Sequence, residues 1–344
     1  RRLCEALLEA GIEPWITLYH WDLPLALGLE GGWLSRDTAK RFADYTDIVS
    51  RSLGDLVGAW VTLNEPWCSA FLGYGTGEHA PGHRNEAEAY AATHHLLLGH
   101  GLAMDVLRAN VPGRKAGIVI NPAKPRAASP SPEDEAASLR ASVERTGLWL
   151  DPIHGRGYPE AQLAQKGVAL PVLDGDLAAI AVPVDFVGVN YYNEDIVKAV
   201  DPSPAHPAGY AYVEGREKRT EMGWSIVPEG LTRILGFIHG TWKPAALYVT
   251  ENGGAFPDTR IEDGRVLDLD RISYMESHIE ACARALEAGL PLAGYFAWSL
   301  LDNFEWSWGY SRRFGLVAVD RASGARTPKA SYAWYRDFLA GRLP

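Results

Sequence analysis

Leu247-Tyr248-Val249-Thr250-Glu251-Asn252-Gly253-Gly254 is a short apolar, β-branched run that ends in a carboxylate and an Asn-Gly-Gly turn. Such a run forms a buried strand, and the paired glycines permit a sharp exit from it. Glu251 is therefore expected at the strand's C-terminal tip. Trp60-Val61-Thr62-Leu63-Asn64-Glu65-Pro66 repeats the design, a buried strand ending in Asn64 and Glu65 and stopped by Pro66.

Outward from these two, the same arrangement recurs. Pro14 to Trp21 reads as a strand with His20 and Trp21 at its tip, Lys115 to Asn121 as another, and Val184 to Tyr192 as one that ends in Asn190 and Tyr192. Gly294 to Leu301 carries Trp298 and is trailed by Asp302, Glu305 and Trp306. Helices are expected between the strands: over 2–10, from a Ser35 cap to Leu53, over 85–109, from Ser131-Pro132 onward, and over 329–341. In the second, Phe42, Tyr45, Ile48 and Val49 recur at helical spacing and mark the core face. Residues 73–82 and 193–222 read as loops, the second long enough to suggest a role. Alternating helices and near-continuous apolar strands imply a parallel sheet covered on both faces. Polar clusters sit at every strand tip, and in a β/α barrel those tips meet at one mouth. An open doubly wound sheet is the rival, but the first βα turn lacks GxGxxG. The expectation is an α/β fold, a (β/α)8 TIM barrel, with residues 1–344 as a single domain.

Composition narrows the functions. A net charge of −10 disfavours nucleic acid and anionic membranes, both of which need a basic face. No apolar run approaches the roughly 20 residues of a membrane span. Twelve Trp and fifteen Tyr suit either core packing or platforms for sugar rings. Cys4, Cys68 and Cys282 are odd in number and widely spaced, which suits reduced cysteines and a cytoplasmic location. The chain opens on Arg1-Arg2-Leu3 as if inside a helix, so a signal peptide ahead of it stays open. His79, His83, His94, His95 and His100 show no HExxH-like pairing, and no metal or other cofactor is expected. The sequence leaves room for a homo-oligomer.

Two strand-tip glutamates across a barrel mouth are the apparatus of glycoside cleavage. One carboxylate attacks the anomeric carbon, while the other protonates the leaving oxygen and later deprotonates water. Each glutamate alone could be a buried structural carboxylate; two at strand tips, each beside an asparagine, favour catalysis. An inverting pair would stand ~6.5–9.5 Å apart rather than ~5–5.5 Å.

Tyr19-His20-Trp21-Asp22-Leu23-Pro24, Thr62-Leu63-Asn64-Glu65-Pro66-Trp67, Asp185 to Tyr192, Tyr248 to Gly253 and Trp298 to Trp306 together resemble glycoside hydrolase family 1, the retaining β-glucosidases. The resemblance covers essentially the whole chain, in order. It implies Glu65 as general acid/base and Glu251 as nucleophile. It further implies substrate contacts from His20, Trp21, Asn64, Asn190, Glu305 and Trp306, with Trp298 beneath the ring and Tyr192 bonding the nucleophile. Trp67 and Trp224 fall on the aglycone side. The substrate implied is a β-glucoside or cello-oligosaccharide; Glu65 rather than Gln and the Glu305-Trp306 pair exclude the thioglucosidase and phospho-glycosidase branches. A catalytically silent sugar-binding homologue is the alternative. The strands correspond to the third to eighth of the barrel. A glycone-binding Gln and an Arg beside the nucleophile, expected from the first two, have no counterpart, and the sequence reads as N-terminally incomplete.

Overall fold

The computed structural model describes residues 1–262 and 264–342. Its central sheet has six parallel strands: β1 (Trp15–Tyr19), β2 (Ala59–Asn64), β3 (Lys115–Ile120), β4 (Phe186–Asn190), β5 (Leu247–Asn252) and β6 (Leu292–Ala297). They are hydrogen-bonded in chain order. A doubly wound sheet would reverse its strand order at a switch point, so the order alone decides for the barrel class. The sheet curls. Trp15 of β1 and Phe296 of β6 belong to strands that do not pair, yet their rings lie 5.2 Å apart. Trp15 also meets Phe186 at 5.3 Å and Tyr248 at 4.8 Å. With Ala59, Val61 and Val119 these rings fill the inside of the arc. Phe186 and Tyr248, the buried rings of the set, each contribute about 1.5–3 kcal/mol. β2 and β4 are buried at every residue, whereas the edge strands β1 and β6 are partly exposed.

Helices surround the sheet, α1 (Arg2–Glu9), α2 (Arg36–Leu53), α3 (Glu86–Asn110), α5 (Pro228–Trp242), α6 (Leu269–Glu287) and α7 (Ala330–Leu339), while α4 (Pro132–Ser142) packs on strand residues 126–127 and 196–199. Ser131 caps α4 by accepting from Asp134 N at 3.2 Å. Ser35 stands at the N-terminus of α2, but its side chain makes no capping bond. Phe42 is buried on α2 as expected, while Tyr45 and Ile48 are exposed; the buried face runs instead through Thr38, Ala39, Thr46 and Ser50. Small and hydroxylated residues fit there because α3 packs close: Gly99 of α3 leaves no more than van der Waals room for a Cβ against Phe42 and Trp33.

Two further readings need correction. The expected loop over 193–222 contains a β-hairpin, Ile196–Ala199 against Tyr210–Val213, extended by Arg126–Ala127 into a small three-stranded sheet. The last barrel strand stops at Ala297, so Trp298 lies just beyond it. Behind the strand tips, Lys329 Nζ bonds Asp258 at 2.5 Å and Asp302 at 2.9 Å. Arg271 pairs with Asp258 at 2.9 Å and with Asp268, and the whole cluster is buried. Asp302 also accepts from Gly315 N at 2.9 Å. The loop carrying Glu305 and Trp306 is thus fixed at both ends by buried charge.

Candidate active site

Glu251 is the penultimate residue of β5 and Glu65 follows β2, and both are buried, at 9% and 6% exposure. Gly253 is required by a close approach: a Cβ there would stand 1.9 Å from the Trp298 carbonyl oxygen. The turn after Glu251 therefore touches the exit of β6, which brings Trp298 to the site.

Asn190, at the tip of β4 between the two glutamate strands, ties the site together. Its Nδ2 donates to Glu65 Oε1 at 2.6 Å and to Asn64 Oδ1 at 3.0 Å, and its Oδ1 accepts from Thr250 Oγ1 at 2.7 Å. Tyr192 Oη donates to Glu251 Oε2 at 2.6 Å. Burial drops His20 to about 4, so its imidazole is neutral and Nε2 can accept from Asn64 Nδ2 at 3.2 Å. Trp21 Nε1 donates to the Asn64 carbonyl at 2.9 Å. Trp306 packs on Trp21 at 4.5 Å and on His20 at 6.0 Å, and Trp298 stacks on His20 at 5.9 Å. These residues share one cavity of about 420 Å³, which Glu65, Glu251, Glu305, Trp67 and Trp224 also line; Asn64 stands just behind the wall.

Three of these residues hold left-handed backbone without being glycine: Trp21 (φ 80°), Glu65 (φ 41°) and Trp306 (φ 44°). Each such conformation costs of order 1–3 kcal/mol and persists only where surrounding structure enforces it.

The electrostatics are those of a crowded acidic pocket. Burial pushes both Glu65 and Glu251 upward, and the charge of Glu65 adds to the push on Glu251. The donors on Asn190 and Tyr192 pull back on Glu251, while Asn190, Cys68 and the positive charge of Arg145 pull back on Glu65. Glu305 is raised to about 7, by burial and then by Glu65. Its Oε2 is buried and has no hydrogen-bond partner among the described residues, an acceptor awaiting a donor. Among the described residues no group of three or more His, Cys, Asp or Glu could hold a metal.

Several residues near the carboxylates were not read from the sequence as part of the site. Cys68 Sγ donates to Glu65 Oε2 at 3.1 Å and accepts from Asn121 Nδ2 at 3.3 Å. His79, from the loop 73–82, packs on Trp21 at 5.3 Å. Arg145 lies with its Cζ 3.3 Å from the centre of the Trp67 ring. The helical spacing of Cys68 three residues after Glu65 could have suggested the first; nothing local pointed to the others. The remaining histidines serve packing: His94 bonds Asp176 at 2.8 Å, His95 the Trp33 carbonyl at 2.9 Å and His100 Thr62 Oγ1 at 2.7 Å.

Known proteins give the arrangement a family. Residues 1–342 match glycosyl hydrolase family 1. Beta-glucosidase A of Thermotoga maritima is 45% identical over 340 residues, spanning 98% of this chain and 76% of that protein. A bifunctional beta-D-glucosidase/beta-D-fucosidase of Bifidobacterium breve is 43% identical, spanning 98% and 77% respectively. The solved family 1 b-glucosidase from Thermotoga maritima superposes with a TM-score of 0.94 at 43% identity, covering 100% of this chain and 77% of that one. The same enzyme has been solved with deoxynojirimycin, at a TM-score of 0.93 and 42% identity over the same shares. With the barrel-class sheet and the paired strand-tip carboxylates already established, the chain belongs to glycosyl hydrolase family 1.

Proposed function

We propose that this protein is a retaining β-glucosidase that releases terminal β-D-glucosyl residues from unphosphorylated β-glucosides, cello-oligosaccharides among them. The observation that carries the reading is the pair of buried strand-tip glutamates, each held by a dedicated donor: Asn190 on Glu65 and Tyr192 on Glu251. The carboxylate of Glu251 attacks the anomeric carbon as the glycosidic bond breaks, and Glu65 passes its proton to the departing oxygen. Glu65, now ionised, takes a proton from water, which attacks the glycosyl–Glu251 ester, releases glucose and restores both groups. The unpartnered Glu305 Oε2, with His20, Trp21 and Asn64 nearby, supports a glycone subsite in which sugar hydroxyls supply the absent donor.

The same reading takes the six strands as the third to eighth of the barrel, which the partly exposed edge strands β1 and β6 support. It also bears on charge. Among the described residues the positive charge of Arg145 favours ionised Glu65, while the charge of Glu65 opposes ionisation of Glu251. An Arg beside Glu251, as the family resemblance implies from an earlier strand, would offset that opposition.

A 2-deoxy-2-fluoro glucosyl donor with a good leaving group tests the assignment. It should inactivate the enzyme with one glycosyl adduct per chain, carried by the peptide containing Glu251. An adduct on any other carboxylate, or inversion at the anomeric carbon of the product, would falsify it.

A further inference from the structure

Trp67 is expected on the aglycone side, and its indole already has two close neighbours. Phe71 is stacked on the indole at 5.6 Å and 11°, and the Arg145 guanidinium covers it at 3.3 Å. Arg145 lines the cavity beside Trp67.

Arg145 makes no ion pair among the described residues, and its Nε is buried without a partner. Nearby carboxylates are otherwise engaged. Glu144 pairs with Lys166 at 2.6 Å, Glu194 with Arg233 at 2.6 Å, and Asp195 accepts from Asn193 at 3.1 Å. A guanidinium held against an indole keeps less freedom to lose on binding, and its fork of donors matches a carboxylate. Leaving such donors unmatched in an enclosed site is costly, and a ligand anion removes the cost.

We infer that Arg145 is a specificity-determining residue of the leaving-group side, and that it selects β-glucosides whose aglycone carries a carboxylate. The inference rests on the glycosidase reading and on the cavity that holds Arg145 and Glu65 together. It has a second consequence. A carboxylate paired with Arg145 screens that positive charge from Glu65, whose carboxyl then holds its proton to higher pH.

The test uses 4-carboxyphenyl and 4-carbamoylphenyl β-D-glucosides and their non-hydrolysable S-linked analogues. With the purified chain, calorimetry should show the S-linked acid binding at least about tenfold more tightly than the S-linked amide. Arg145→Met should bring that ratio close to one, and Arg145→Lys should retain part of it. In turnover, the acid-over-amide ratio of kcat/KM should fall by a similar factor in Arg145→Met, the variants' folding being checked by their thermal transitions. Equal binding of acid and amide by the wild type, or a preference that survives Arg145→Met, overturns the inference. The binding comparison does not depend on turnover. If the wild type prefers the acid analogue yet hydrolyses neither glucoside, the glycosidase reading fails and the subsite stands.

Discussion

Tyr192 Oη and Glu251 Oε2 lie 2.6 Å apart, the tyrosine donating, and burial keeps the phenol far too weak an acid to surrender its proton. Tyr192 therefore acts on Glu251 as a fixed donor. It stabilises the carboxylate against a burial that favours the neutral acid.

Removing that donor has a defined sign. In Tyr192→Phe the Glu251 carboxyl rises further, less of it is ionised at low pH, and the acidic limb of the kcat/KM profile moves to higher pH. A hydrogen bond to a charged group is worth about 1.5–3 kcal/mol, so kcat/KM at neutral pH should fall roughly 10- to 100-fold. A profile whose acidic limb stays in place would show that Tyr192 serves packing alone.

On the other carboxyl the limb reverses. Asn190 and the Cys68 thiol both favour ionised Glu65. In Cys68→Ala or Asn190→Ala its carboxyl rises, the proton needed for the leaving group is retained longer, and the basic limb moves to higher pH. The shift should be the smaller in Cys68→Ala, because a thiol is a weak donor. Asn190→Ala should also lower kcat, since the same amide holds Asn64. Profiles of the two variants against the wild type, with one aryl glucoside, decide this; a basic limb moving downward contradicts it.

Glu305 links the sugar site to stability. Its carboxyl is raised from 4.5 to about 7 in the fold, so the folded protein binds the proton more tightly than the unfolded chain. The stabilising protonation is fully present below pH 4.5 and is lost as pH rises through about 7. Glu305→Gln should therefore melt close to the wild type at pH 4 and above it at pH 8, while losing glucoside affinity. Equal Tm differences at both pH values would contradict the assignment.

Behind the site, Lys329 is the buried cation between Asp258 and Asp302. Lys329→Met leaves buried Asp302 without a cation and Asp258 with Arg271 alone, and should cost about 3–5 kcal/mol in urea unfolding. A loss below about 1 kcal/mol would overturn the reading that this buried cation holds the Asp302 loop in place.

What could be read from the letters follows physical scale. Each strand tip is legible because a β-branched run stops at a polar residue, and register then fixes which side chain meets the mouth: Asn190 pairs with Glu251 across β4 and β5. Arg145 was invisible. It sits in the irregular helical turn Val143–Gly147 between two helices, with no strand register to place it. The hairpin over 196–213 was hidden by prolines and glycines that read as loop, although Tyr210 and Tyr212 alternate as a strand should. On α2, period alone marked Tyr45 and Ile48 as core, because the pattern does not reveal how closely α3 approaches.

The left-handed backbone at Trp21, Glu65 and Trp306 has an evolutionary consequence. Glycine would relax the backbone at Glu65 and also remove a carboxyl whose ionisation burial opposes, whereas at Trp21 and Trp306 it would forfeit more packing than the strain it relieves. Selection for thermal tolerance alone would therefore press first on Glu65, the proposed proton donor. A laboratory lineage bred only for heat resistance should lose turnover at this codon, and one bred for both traits should find its stability elsewhere.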